Sequence, residues 1–202
     1  MITLHHVANA RSARSLWLLY ELGLEFEVNE IEFTMAALRT PEYLSISPLG
    51  RVPCLVDGEV TLIESGAICQ YLCETYDDGT LHRAPGHPER TEWLQWLHYA
   101  ETVAVHGASL VQQQAFIQQE QRSPVVIKLE SKRLEKALEV LDKHLADREY
   151  LLKSGFSAVD TAVAYSVHLG FDMHKVHGLQ HLEAYYARCR QREAFKKTFG
   201  GQ

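Results

Sequence analysis

The chain has 202 residues, 46% of them hydrophobic and 23% charged, with a formal net charge of −6. This suits one large domain or two small ones with an ordinary core, and it disfavours nucleic acid as the main partner, because no basic surplus exists to neutralise phosphates. No apolar run reaches the roughly 18 residues a membrane-spanning helix needs, and the opening "MITLHHVANARSARS" has no apolar stretch of the kind a secretory signal carries. The four cysteines, Cys54, Cys69, Cys73 and Cys189, form no evident disulfide framework. They read as reduced thiols of a cytoplasmic protein.

In chain order, "MITLHHV" predicts a first strand and "RSARSLWLLYELGL" a helix, with Leu16, Leu19 and Tyr20 at helical spacing and Gly23 suited to the position after its end. "EFEVNEIEF" alternates as a second strand. "PEYLSISPLG" is turn-rich, with room for one helical turn. "VPCLVDGEVTLI" predicts a hairpin turning at Asp57-Gly58, and "SGAICQYLCETY" returns to helical spacing. The order is β-α-β-turn-β-β-α over residues 1–80. "DDGTLHRAPGHP" reads as a linker. Residues 86–202 then show helical signal only. There are two long helices, the second with Leu134, Leu138, Leu141 and Leu145 on one face. "FSAVDTAVAYSVHLGF" follows, where Ser157 and Asp160 have the spacing of a capping box.

The stretch from Ser47 to Ile68, "SPLGRVPCLVDGEVTLIESGAI", carries the chemistry. Proline cannot donate to a ladder, so Pro53 belongs at a strand start or edge. A cis Val52–Pro53 bond would turn the backbone so that the N–H and C=O of Val52 face solvent, ready to pair with a peptide-like ligand. Ser65 is a natural N-cap. The unpaired N–H groups behind it carry partial positive charge and suit a carboxylate, while Glu64 would attract an ammonium group. Together these features describe a site for an α-amino acid head joined to a peptide backbone. Each residue also has a plainer reading, as an edge proline or a simple cap.

The element order, "VP" before a hairpin, "ESGAI" at the last helix, "SLWLLYELGLEFE", "FSAVDTAVA" and "LEAYYARCRQREAFKKTF" together resemble the cytosolic glutathione transferases, bacterial type, over nearly the whole chain. The resemblance implies a thioredoxin-like domain over 1–80 that binds glutathione, and an all-helical domain over 86–202 that supplies an apolar acceptor pocket. It implies that Val52 pairs with the cysteinyl part of glutathione, that Pro53 is cis, that Glu64 and Ser65 hold the γ-glutamyl head, and that Arg51 reaches the peptide. It also implies a homodimer acting in detoxification. The enzyme would conjugate glutathione to a small apolar electrophile or reduce peroxides or disulfides. The alternative is a non-catalytic interaction module on the same fold.

Thiol activation is where this chain departs from the pattern. A thiol of pKa about 8.5 is only a few per cent ionised at pH 7. The first strand–helix turn, "HHVANARSARS", holds neither Tyr nor Cys, and Ala10 stands where many related sequences have Ser. The remaining donors are Asn9 and Ser12, with Arg11 as an electrostatic helper and the helix-start amides as a further source. Plainer readings are a cap for Ser12, a turn bond for Asn9 and solvation for Arg11. With no cysteine before Cys54, glutathione itself would bring the sulfur. His177 and His181 have helical i,i+4 spacing but no completing ligand, so no metal is expected. His98 and His106 lie on a helix resembling the acceptor wall, where core or surface placement is the plainer reading.

Overall fold

The computed structural model describes residues 1–200. Two compact units form, one from residues 1–84 with the stretch from 191 onward, the other from residues 85–190.

The first unit runs β1 (Ile2–His6), α1 (Ser12–Glu21), β2 (Phe26–Glu30), α2 (Met35–Leu38), α3 (Pro41–Ile46), β3 (Cys54–Asp57), β4 (Val60–Ile63) and α4 (Ser65–Tyr76). Its sheet has the order β2-β1-β3-β4. β1 is parallel to β2, which requires a crossover, and α1 supplies it. β1 and β4 are both antiparallel to β3. This is the thioredoxin-like sheet that the element order implied. The helix α2 is an addition to that order. It is short, and Thr34 caps it by accepting from the Ala37 N–H.

The β3–β4 turn lies one residue later than the sequence suggests. Asp57 pairs with Val60, so it ends the strand, and Gly58-Glu59 forms the two-residue loop. Gly58 has φ +58, as a tight hairpin with glycine at its first central position requires.

α1 is sunk on nearly every side, and every residue from Ser12 to Leu19 is buried. The sheet covers one face and α4 another. A third is covered by α9 (Glu193–Phe199), the closing helix of the chain. Phe195 meets the Trp17 ring edge-on with centroids 5.0 Å apart. Arg192 forks onto both oxygens of Glu21 at 2.6 and 2.7 Å. Glu21 also accepts from the Trp17 indole at 2.8 Å. The closing helix thus packs with the first unit.

The second unit is all-helical: α5 (Arg90–Val111), α6 (Pro124–His144), α7 (Ala158–Met173) and α8 (Gln180–Gln191). Its central helix, α7, begins with the expected capping box. The Asp160 carboxylate accepts from the N–H groups of Ser157 at 2.8 Å and Leu151 at 3.1 Å, and from the Tyr185 hydroxyl at 3.1 Å. Burial pushes its carboxyl up to about 6, still ionised at neutral pH.

Arg192→Ala should lower the stability of the fold by about 2–3 kcal/mol, because it strands a carboxylate that is nearly enclosed. The urea midpoint measures this at constant m-value. A midpoint equal to wild type would show that the clamp contributes nothing.

Candidate functional site

Strand register gathers the scattered sequence signals at one end of the sheet. Cys54 pairs with His5 on one side and with Ile63 on the other. The segment entering β3 (Arg51, Val52, Pro53), the segment leaving β4 (Glu64, Ser65) and the turn leaving β1 therefore share that end.

The Val52–Pro53 peptide is cis, as expected. Ladder pairing starts at Cys54, and the N–H and C=O of Val52 make no hydrogen bond among the described residues. Its side chain is anchored, packing on the cluster of Val7, Leu38, Tyr43 and Cys54. Arg51 is exposed, while its backbone is tied down: its N–H donates to the Ser47 hydroxyl at 3.3 Å. Its C=O accepts from the Ser47 hydroxyl at 2.8 Å and the Tyr43 hydroxyl at 2.7 Å. Neither Tyr43 nor Ser47 stood out in the sequence, since both act through tertiary contact.

At the β4–α4 junction, the structure corrects one expectation. Glu64, not Ser65, occupies the N-cap position of α4, and its side chain makes no capping bond. Glu64 has φ +75, a left-handed conformation that costs a non-glycine residue about 1–3 kcal/mol and clusters at functional sites. Its carboxylate is exposed at the mouth of the helix. Ser65 is the first helical residue, and its hydroxyl accepts from the Arg14 guanidinium at 2.9 Å. Arg14 is only 3% exposed. It belongs to α1, so it links the starts of the two helices and places a buried positive charge behind Ser65.

The β1–α1 turn corrects another. Ser12 is fully buried. Its hydroxyl donates to the Val7 C=O at 3.2 Å, accepts from the Val7 N–H at 3.2 Å and lies 2.8 Å from Nδ1 of His6. It is bound inside the turn and presents no hydroxyl at the surface; nor does it cap α1, whose N-cap position belongs to Arg11. Burial lowers the affinity of His6 for a proton, with Glu30 opposing more weakly, so the ring bonded to Ser12 is neutral at pH 7. Asn9 is exposed, with φ +59, a left-handed position that asparagine tolerates better than most residues. Ala10 is half-buried against the Val7–Tyr43 cluster, and its N–H is taken by the Val7 C=O at 3.1 Å. Asn9 and Arg11 are the polar side chains of this turn that are not enclosed.

The other candidates fall elsewhere. His98 is exposed. His106 lies 2.7 Å from Glu130, which also accepts from Arg133 at 2.7 Å; the His106 bond and then Arg133 hold the Glu130 carboxyl below its usual range. His177 lies between α7 and α8 and so shares no helix face with His181. No cluster of three or more His, Cys, Asp or Glu side chains suited to a metal occurs among the described residues. All four cysteines are free and buried, and burial pushes the Cys54 thiol up, away from reactivity. No described helix is long and apolar enough to cross a membrane.

A cis proline and an unpaired residue at the entrance of β3, beside a helix mouth with an exposed carboxylate, thus sit on a thioredoxin-like sheet. The family model for "Glutathione S-transferase, N-terminal domain" matches residues 1–74. "Glutathione S-transferase 3" of Schizosaccharomyces pombe is 30% identical over 178 residues, covering 83% of this chain and 73% of that protein. The theta class glutathione S-transferase of Xanthomonas axonopodis pv. citri, crystallised with glutathione bound, superposes with TM-score 0.86 at 28% identity, covering 98% of this chain and 96% of that one. The glutathione transferase URE2P8 of Phanerochaete chrysosporium reaches TM-score 0.90 at 19% identity, covering 98% and 93%. The chain belongs to the glutathione S-transferase family.

Ser12→Ala removes the acceptor of the Val7 N–H and the partner of His6, while the Val7 C=O keeps the Ala10 N–H. It should cost about 1–3 kcal/mol, the usual penalty for leaving buried polar groups unpaired. Thermal unfolding reads this directly, and an unchanged transition would mean that the turn closes without the hydroxyl.

Proposed function

We propose that this chain binds glutathione along the sheet end formed by Arg51–Pro53 and Glu64–Ser65, and delivers the thiolate to a small apolar electrophile. The observation that carries the reading is the register. It sets the unpaired dipoles of Val52, the helix mouth at Glu64–Ser65 and the β1–α1 turn side by side. The N–H and C=O of Val52 would take the cysteinyl backbone as one more rung of sheet. The first amides of α4 and the Ser65 hydroxyl, backed by Arg14, would hold the γ-glutamyl carboxylate, and Glu64 its ammonium group. Arg51 would reach the glycyl end. The glutathione bound to the Xanthomonas relative supports glutathione as the ligand.

The cysteinyl sulfur would then lie at the β1–α1 turn. The Asn9 carboxamide and the amides at the start of α1 would stabilise the thiolate, with Arg11 adding positive field. Ser12 contributes by holding the turn, through Val7 and His6, and not by touching sulfur. The thiol proton leaves to solvent. The thiolate forms a carbon–sulfur bond as the leaving group departs with its electron pair. With a disulfide as substrate, it forms a mixed disulfide and expels a thiolate, and a second glutathione completes the exchange. We place the enzyme in the cytoplasm as a homodimer, and the free buried cysteines fit a reducing compartment.

Retention on immobilised glutathione, followed by assays with a chloronitrobenzene, a hydroperoxide and a disulfide, tests the reading. Wild-type protein that neither binds nor turns over glutathione would overturn it. Ser65→Ala should weaken glutathione binding about 10- to 150-fold, as expected for losing one charged hydrogen bond; calorimetry on the folded variant decides. Asn9→Ala should raise the pKa of bound glutathione by about one unit, equivalent to about 1.4 kcal/mol, with a smaller change in affinity. Thiolate absorbance against pH reads this. A variant that titrates like wild type would leave activation to the helix-end amides.

A further inference from the structure

We infer that Tyr43 and Ser47 are positioning residues, whose hydroxyls jointly grip the Arg51 carbonyl and so aim the Val52 N–H at the peptide of bound glutathione. The inference rests on the glutathione site proposed above and adds two residues that do not touch the ligand.

A trans peptide is planar, with its C=O and N–H pointing in opposite directions. The Arg51–Val52 peptide is trans, since the only cis bond in the described chain is Val52–Pro53. The direction of the Arg51 C=O therefore sets that of the Val52 N–H. Two hydroxyls hold this carbonyl, Tyr43 at 2.7 Å and Ser47 at 2.8 Å. Both lone-pair directions of the oxygen are thus occupied. Ser47 also takes the Arg51 N–H at 3.3 Å, so both polar groups of Arg51 are tied to α3 or its C-cap. With the carbonyl gripped from inside, the Val52 N–H is turned away from α3, and it has no partner among the described residues.

The grip is well supported. Tyr43 is 5% exposed and Ser47 1% exposed. The loop between them and Arg51 closes through the Gly50 N–H, which donates to the Ser47 C=O at 2.8 Å. Gly50 itself has φ +59, and a Cβ there would stand 2.5 Å from the Leu38 C=O, so only glycine fits. Burial pushes the Tyr43 hydroxyl up to about 12, and it remains a donor throughout the working pH range. An edge pre-aimed in this way binds a peptide without first ordering a loop, which is where much of the cost of such binding lies.

The test uses Tyr43→Phe, Ser47→Ala and the double variant in the full chain. Phe keeps the ring that fills the core and removes only the hydroxyl. Each single variant should raise the KM for glutathione about fivefold, and the pair about 20-fold, as expected for one and two hydrogen bonds. The kcat at saturating glutathione should stay within about twofold, because the contact is made equally in ground and transition states. In ¹⁵N-labelled protein, the Val52 amide resonance should shift on adding glutathione to wild type, and shift less in the double variant. A double variant with wild-type KM overturns the inference while leaving the glutathione site standing. So does a loss of kcat at constant KM, the mark of a merely structural defect. Wild-type protein whose Val52 resonance ignores glutathione overturns both the inference and the site.

Discussion

A guanidinium removed from water costs several kcal/mol unless it is well met by acceptors. Arg14, 3% exposed in the first turn of α1, imposes that condition on the first unit. One acceptor is the hydroxyl of Ser65, which comes from 51 residues away. The bond joins the first turn of α1 to the first residue of α4. It therefore sets the relation between two helix N-termini, each a source of positive potential. One stands at the turn proposed to hold sulfur, the other at the mouth proposed to hold the γ-glutamyl head. In the proposed site, the Arg14–Ser65 bond would thus set the spacing between the sulfur and the γ-glutamyl head of glutathione. Ser65 is not the cap of α4, because Glu64 holds the N-cap position and Ser65 is the first helical residue, its hydroxyl accepting from Arg14.

The site divides its labour between backbone and side chains. Under the proposed reading, Val52 would offer main-chain dipoles, which any peptide can use, and specificity for one peptide would lie with Glu64, Ser65 and Arg51. The thiol end relies on the fewest side chains. The Ala10 side chain brings no donor and Ser12 is turned inward, so in the proposed site the field of the α1 terminus and the carboxamide of Asn9 would carry the load. Such a site distinguishes glutathione by its ends more sharply than by its sulfur.

Features with a local cause were legible in the sequence. Pro53 at a strand mouth, Gly23 after a helix, and Ser157 with Asp160 at a helix start each follow from the geometry of a few neighbouring residues. The order of strands and helices followed from periodicity alone. The hairpin turn slipped by one residue, because Asp-Gly and Gly-Glu both accommodate a positive φ and only the pairing of Asp57 with Val60 chooses between them. Ser12, Ser65, Tyr43 and Arg14 were read incompletely or not at all. Their partners are hydroxyls, carbonyls and a guanidinium brought close by the fold, and no spacing rule encodes those meetings. Ser65 looked like a cap because serine is a preferred N-cap at a strand-to-helix junction, but Glu64, at φ +75, takes that position instead. His177 and His181 looked like a pair because helical spacing was assumed across a segment that is not helical.

The clamp of α9 on α1 gives the protein an unusual history of assembly. Arg192 closes on Glu21 across 171 residues, and Phe195 covers Trp17 from the same side. A ribosome adding about 5–20 residues per second needs roughly 10–30 s to cross that interval. Once residues 1–84 have emerged, one face of their central helix stays uncovered until residues 191–199 follow. The unit that is translated first is therefore finished last, when its own closing helix arrives.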